Sequence, residues 1–296
     1  MLLAITYHYI AEQEPERPRA IFPVTTSQLA VQLELVGRTF EFVRRDELIE
    51  AVLGRRALPE RGCLVTFDDG LRCQYELALP VLERLEVPAL FFVAAAPLAE
   101  GRVLDVHKVH RLREAVPDDV IVAELGKDPP EPPRGKHVYD DPRAAAVKEL
   151  LAATPASKLD ALLARANATV GIDLYMSADQ VVELERRGAL GAHGYSHRPL
   201  AALGPDGATE DLDRGAGLLE GVTGRRPRAV SYPYGTSDAL TAATAEAAAR
   251  AGFIVGFTMR RGLNHDLATP LLLARLDTRD LQEPEWPDGS PASIDP

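Results

Sequence analysis

Apolar positions along this chain gather into short, nearly unbroken runs, separated by stretches with a helical period. The runs Leu2–Tyr7, Cys63–Phe67, Ala89–Val93, Ala189–Ala192, Ala229–Tyr232, Ile254–Thr258 and Leu271–Leu276 read as strands buried on both faces, and Thr39–Val43 as a shorter one. Between them, Ser27–Gly37 places Leu29, Leu33 and Val36 on one helical face. Asp46–Leu53, Gln74–Leu85, Ala178–Arg187, Thr209–Val222 and Ala239–Ala251 read as further helices. This α/β alternation predicts a mostly parallel sheet, open or closed into a barrel, with chemistry at the carboxyl ends of the strands.

The rhythm breaks between Pro97 and Tyr175. That stretch contains Pro129-Pro130-Glu131-Pro132-Pro133, an extended surface linker. Helical patterns over Arg143–Ala153 and Ser157–Ala168 flank it. Residues 97–175 are therefore expected to be a mainly helical insertion within a single domain spanning 1–296, suited to capping the site or to pairing as a homodimer. The acidic, proline-rich tail 283–296 is expected to be loose.

A hydrophobic fraction of 46% supports a large core, and a net charge of −11 argues against nucleic acid or an anionic membrane as partner. No apolar stretch is long enough to span a bilayer. Met1–His8 lacks the basic region of a signal peptide. Cys63 and Cys73 are the only cysteines and form no CxxC. They are read as reduced thiols rather than as a pair across the intervening loop, and the expected location is cytoplasmic.

Two polar clusters change the picture from fold to chemistry. Thr66-Phe67-Asp68-Asp69-Gly70 follows one buried run, and His193-Gly194-Tyr195-Ser196-His197 follows another. Asp-Gly alone suits an ordinary turn. Adjacent carboxylates at a strand end repel, however, and are costly to bury without a cation. One carboxylate with two imidazoles makes a three-ligand metal site with a position left open, and the spare carboxylate can accept a proton. Spacing alone does not fix which aspartate does which; Asp69 is assigned to the metal with His193 and His197, and Asp68 to the base. A third cluster, Ser231-Tyr232-Pro233-Tyr234-Gly235, offers aromatic rings suited to a sugar face and a backbone N–H at Tyr234 suited to an oxyanion.

TFDDG, HGYSH and the Pro-Tyr-Gly turn, in this order, resemble the polysaccharide deacetylase family of carbohydrate esterases, over roughly residues 1–100 and 176–280. The resemblance implies a distorted (β/α)7-type barrel and a divalent metal of the Zn2+ type on Asp69, His193 and His197. It also implies Asp68 as general base, with metal-activated water attacking the amide carbonyl of an N-acyl sugar and the Tyr234 N–H stabilising the oxyanion. Thr66 and Ser196 fall at motif positions that support the loops. Many members carry an arginine two residues before the motif proline; here that position is Ser231, and Arg275 is the candidate replacement. The usual late Leu-x-Ile-His segment that supplies the general acid is missing, leaving His265 and His8 as substitutes. His107 and His110 would reach the site only if the insertion folds back over it. With His8, Tyr232 and Pro233 assigned to substrate, the chain reads as a hydrolase of carbon–nitrogen bonds that removes an N-acetyl group from a small, activated or lipid-linked amino sugar. Cleavage of formamides or cyclic ureides on the same fold, and a non-catalytic sugar-binding or scaffold role, are the alternatives.

Overall fold

A computed structural model describes residues 1–14, 22–132, 137 and 139–281. Its centre is a ring of parallel strands: β1 (Leu2–Tyr7), β2 (Gly62–Phe67), β3 (Ala89–Val93), β4 (Leu190–Ala192), β5 (Ala229–Ser231), β6 (Val255–Phe257) and β7 (Leu276–Asp277). The registers Leu2↔Gly62, Val65↔Ala89, Phe91↔Leu190, Ala192↔Val230 and Ala229↔Val255 carry the ring from β1 to β6, and Ile5↔Leu276 sets β7 on the other side of β1. A parallel bridge between Phe257 and Leu273 joins the two edges, so the sheet curls into a seven-stranded barrel. The strand expected over Leu271–Leu276 is shorter than its apolar run. A turn closed by Leu272 N–H on the Thr269 carbonyl interrupts it, and regular pairing with β1 begins only at Leu276.

Side chains alternate across each strand, and the alternation sorts the core into two clusters. Leu2, Ala4, Leu64, Leu90, Phe92, Ala229, Val255, Phe257 and Leu273 pack together inside the barrel. Leu3, Ile5, Tyr7, Val65, Phe67, Phe91 and Val230 face outward onto the helices. The inward series continues in register to Thr6, Thr66, Ser231 and Arg275, so an apolar floor gives way to a buried polar layer at the carboxyl ends.

The surrounding helices begin where capping chemistry allows. Thr25 with Gln28, and Ser177 with Gln180, form capping boxes for helices Thr26–Gly37 and Ala178–Arg186. The helix expected from Thr209 starts at Gly204, because Pro205 sits in the first turn, where its missing N–H costs nothing. The helix expected from Ala239 starts only at Thr244, whose hydroxyl accepts the Thr241 N–H and holds the approach as a turn. Gln74–Leu85 is split into a wide π turn, Gln74–Ala78, and a short α-helix, Leu79–Arg84.

Among the described residues of the insertion are the α-helices Asp105–Ala115, Asp118–Leu125, Pro142–Ala152 and Ala156–Arg165. They share a core of their own around Leu112, Ile121, Val147, Leu151 and Leu163. The insertion is anchored to the barrel at both ends. The Ala95 and Ala96 N–H groups bond the Gly194 and Tyr195 carbonyls on departure, and the Met176 N–H bonds the Gly70 carbonyl on return. Part of the proline-rich linker and the tail from Glu283 lie outside the described residues. Among the described residues, no helix is long and apolar enough to cross a membrane. Cys63 and Cys73 are free thiols.

Barrel closure leaves no room at Gly256. A Cβ there would lie 2.4 Å from the Tyr232 hydroxyl and 2.7 Å from the Leu271 carbonyl. Gly256→Ala is expected to cost about 1–3 kcal/mol by overpacking this seam, read as a lower urea midpoint with an unchanged slope.

Candidate active site

The carboxyl ends of β1, β2, β4 and β5 bring the separate clusters together. Asp68 and Asp69 leave β2, His193 leaves β4, and Ser231 ends β5. His193 Nε2 and His197 Nε2 lie 3.3 and 3.0 Å from Asp69 Oδ1, and one ligand atom from each of the three residues falls within 4.8 Å of the others. All three side chains are buried. The Ser231 carbonyl accepts a 2.7 Å hydrogen bond from His193 Nδ1. A carbonyl can only accept, so Nδ1 holds the ring proton and Nε2 turns a bare lone pair toward the aspartate. Among the described residues, no hydrogen bond satisfies Asp69 Oδ1. Two imidazoles gathered on a buried, unsatisfied carboxylate oxygen are a set that could hold a divalent cation.

Asp68 belongs to a different network. Arg275, fully buried, donates from Nη1 to Asp68 Oδ1 at 2.9 Å and from Nη2 to Oδ2 at 2.7 Å. This two-pronged geometry is the strong form of an arginine–carboxylate pair. Arg275 also bonds the hydroxyls of Thr6, Thr66 and Ser231, and the Ser231 hydroxyl donates to Asp68 Oδ2. The serine in place of the motif arginine is thus matched by an arginine arriving from the segment that leads into β7. Burial, the largest single influence, would raise the Asp68 pKa, but the Arg275 charge and hydrogen bonds, with the nearby His193 and His8, together outweigh it and bring the value down to about 2, so the carboxylate is ionised.

The loops carrying these groups are held in costly backbone conformations. Asp69, His197 and Tyr234 all have positive φ, at 79°, 57° and 62°. Such values cost non-glycine residues about 1–3 kcal/mol each and persist only where the surroundings impose them. Around Tyr234 the Gly235 N–H closes on the Pro233 carbonyl. The histidine loop is gripped by Asp211, whose carboxylate accepts the Tyr195 and Ser196 N–H groups. Helix Gly204–Thr223 brings Asp211 close enough because it presents Gly215, where a Cβ would lie 2.6 Å from the Gly194 backbone.

Above the polar layer is a cavity of about 410 Å3. His8, Asp68, Asp69, His193, His197 and Tyr234 line its barrel side. The insertion folds back and roofs it with residues that include Val106, Val109, His110 and Lys148. The Tyr234 ring stands edge-on to His197, with centroids 5.2 Å apart.

Three sequence assignments need correction. His265 follows Asn264, which pairs with Leu2 at the start of β1, so it lies at the opposite end of the barrel in a separate surface pocket. Tyr232 borders the cavity, but its ring is fully buried and its hydroxyl is tied to the Leu271 carbonyl, so it offers no face for a sugar. Pro233 is buried beside Gly194 and is not among the residues lining the cavity. Conversely, His107 lies against the metal triplet, with Nε2 3.1 Å from Asp69 Oδ2. The three-residue spacing of His107 and His110 hinted at a shared helical face, but not at what that face meets.

Residues 137–255 match the family model described as polysaccharide deacetylase. The match spans less than half of the chain. The deacetylase match includes His193, His197 and the Pro-Tyr-Gly turn. It begins inside the stretch read as an insertion beyond the resemblance, and it leaves out Asp68 and Asp69, which only the fold brings to the histidines. A comparison with curated protein sequences finds no match. Among solved structures, the chain resembles the Streptococcus pyogenes deacetylase PplD in complex with acetate, at 18% identity and a TM-score of 0.60, covering 93% of this chain and 91% of that one. It resembles a de-N-acetylase from Aggregatibacter actinomycetemcomitans at 16% identity and a TM-score of 0.62, covering 94% and 95%. IcaB from Ammonifex degensii aligns at 24% identity and a TM-score of 0.59, covering 93% and 90%. At these identities the likeness establishes the shared barrel fold.

Removing one partner of the Arg275–Asp68 pair would strand a buried charge. Arg275→Met is expected to cost about 3–5 kcal/mol in urea unfolding, and the double variant Asp68→Asn/Arg275→Met is expected to lose less than Arg275→Met alone.

Proposed function

We propose that this protein is a zinc-type N-deacetylase that removes the acetyl group from an N-acetylated amino-sugar unit held in the roofed cavity. The observation that carries this reading is the juxtaposition, on successive residues, of a carboxylate facing two imidazole Nε2 atoms and a carboxylate clamped by a buried arginine.

In this reading Asp69, His193 and His197 hold a divalent cation. Such an ion, when bound, polarises the amide carbonyl and acidifies a water. The chain's own residues do the rest. Asp68 accepts the proton of the attacking water, and Arg275 keeps it ionised and fixed in direction. The strained turn at Tyr234 presents its backbone N–H to the oxygen that gains charge as the carbonyl becomes tetrahedral. With His265 at the far end of the barrel, His8 is the group assigned to protonate the departing amine. It follows β1, lines the cavity and lies close enough to act on the Asp68 charge. The cavity falls within the usual range for small-ligand sites, about 300–1,000 Å3, which suits one or two sugar units, either free or at the end of a chain.

Two variants and one product assay test this reading. Asp68→Asn is expected to abolish turnover while retaining bound zinc, and His193→Ala to lose the zinc as well. With a panel of N-acyl amino sugars, acetate rather than formate is the expected product. Full activity in both variants, or release of formate alone, would overturn the assignment.

A further inference from the structure

The oxygen of Asp69 that turns away from His193 and His197 is not idle. Asp69 Oδ2 lies 3.1 Å from Nε2 of His107, a side chain only 1% exposed that arrives from the insertion. The other ring nitrogen, Nδ1, lies 2.5 Å from the Tyr175 hydroxyl. That hydroxyl accepts the backbone N–H of Leu104 at 2.9 Å. Tyr9 stacks edge-on against the His107 ring, with centroids 5.8 Å apart.

The direction of these bonds follows from the Asp69 carboxylate, which can only accept. His107 Nε2 therefore donates to Asp69 Oδ2. With its proton on Nε2, the neutral imidazole leaves Nδ1 to accept the Tyr175 hydroxyl proton. The Tyr175 oxygen in turn accepts the Leu104 N–H. The chain from Leu104 through Tyr175 and His107 to Asp69 runs in one sense and leaves only Oδ1 facing the two ligand histidines.

We infer that His107 is a positioning residue for the metal site, holding Asp69 as a one-oxygen ligand and making the insertion part of the machinery that sets metal affinity. This rests on the metal-site reading above. A carboxylate with one oxygen engaged by a donor presents the other at a fixed angle, whereas a free carboxylate can rotate and bind through both. Outer partners of this kind contribute about 10–100-fold to metal affinity. The insertion is then more than a roof: helix Asp105–Ala115 must be docked for Asp69 to adopt its binding pose.

The test uses the full chain, stripped by a chelator and titrated with Zn2+ against a chromophoric competitor. His107→Phe is expected to weaken zinc binding about 10–100-fold. His107→Gln, which retains a side-chain N–H donor, is expected to recover most of the loss. Tyr175→Phe removes a single oxygen, so it carries the test even if a larger change at the buried position 107 impairs folding; it is expected to fall between His107→Phe and wild type. Substitution with Co2+ gives an independent readout. Release of Asp69 Oδ2 is expected to raise the coordination number and weaken the visible absorption in His107→Phe and Tyr175→Phe. Unchanged zinc affinity and an unchanged cobalt spectrum in both variants would overturn this inference alone. A wild-type protein that takes up no zinc would overturn the metal site itself, and this inference with it.

Discussion

The upper half of the barrel is organised around one buried ion pair, Arg275 with Asp68. Isolated, either charge would be prohibitively expensive inside a ring of leucine, valine and phenylalanine. Together they complete a polar layer in which the guanidinium is satisfied by two carboxylate oxygens and the hydroxyls of Thr6, Thr66 and Ser231. Three of those partners come from different strands, so the pair can form only when β1, β2 and β5 are in register with the segment leading into β7. Such pairs rarely add net stability over apolar packing, but they penalise every arrangement that leaves a member alone. Here the arrangement they enforce is the one that aims Asp68 into the cavity.

The neighbouring Asp69 is governed by the opposite logic. Where Asp68 is saturated with donors, Asp69 keeps one oxygen unsatisfied and faces two imidazoles that share its need for a cation. Two carboxylates on consecutive residues are thereby given distinct environments by the pleat of a single strand and the turn that follows it. The positive φ of Asp69 breaks the extended backbone there, while Asp68 continues the inward series of β2. Separate surroundings of this kind pull the proton affinities of two adjacent carboxylates apart.

Much of this was legible in the sequence because each signal was local. Apart from Leu271–Leu276, where regular pairing begins only at Leu276, apolar runs marked the strands to within a residue or two, and TFDDG and HGYSH placed carboxylates and imidazoles at strand ends. Arg275 was identifiable only through the absence of an arginine at Ser231, and its burial followed from being in phase with Leu273 on an inward-facing register. What the sequence concealed depended on long-range geometry. His265 looked equivalent to His8 as a histidine near a strand, but only pairing with Leu2 reveals which end of the barrel it occupies. Tyr232 carried the composition of a sugar platform, yet strand alternation turns it into the layer beneath the helices. Asp211 and Gly215, which grip the histidine loop from a helix, carry no motif at all. His107 lies 38 residues from Asp69 in sequence, and the folding back of the insertion alone joins them.

The insertion leaves the barrel beside the histidine loop and rejoins it beside Gly70, with backbone hydrogen bonds at both seams. Its two ends are therefore stitched to the two segments that carry Asp69, His193 and His197. Any attempt to trim this module, or to transplant it onto another barrel in order to alter substrate choice, would have to carry both seams intact. A clean excision on paper would cut through the supports of the very residues it was meant to spare.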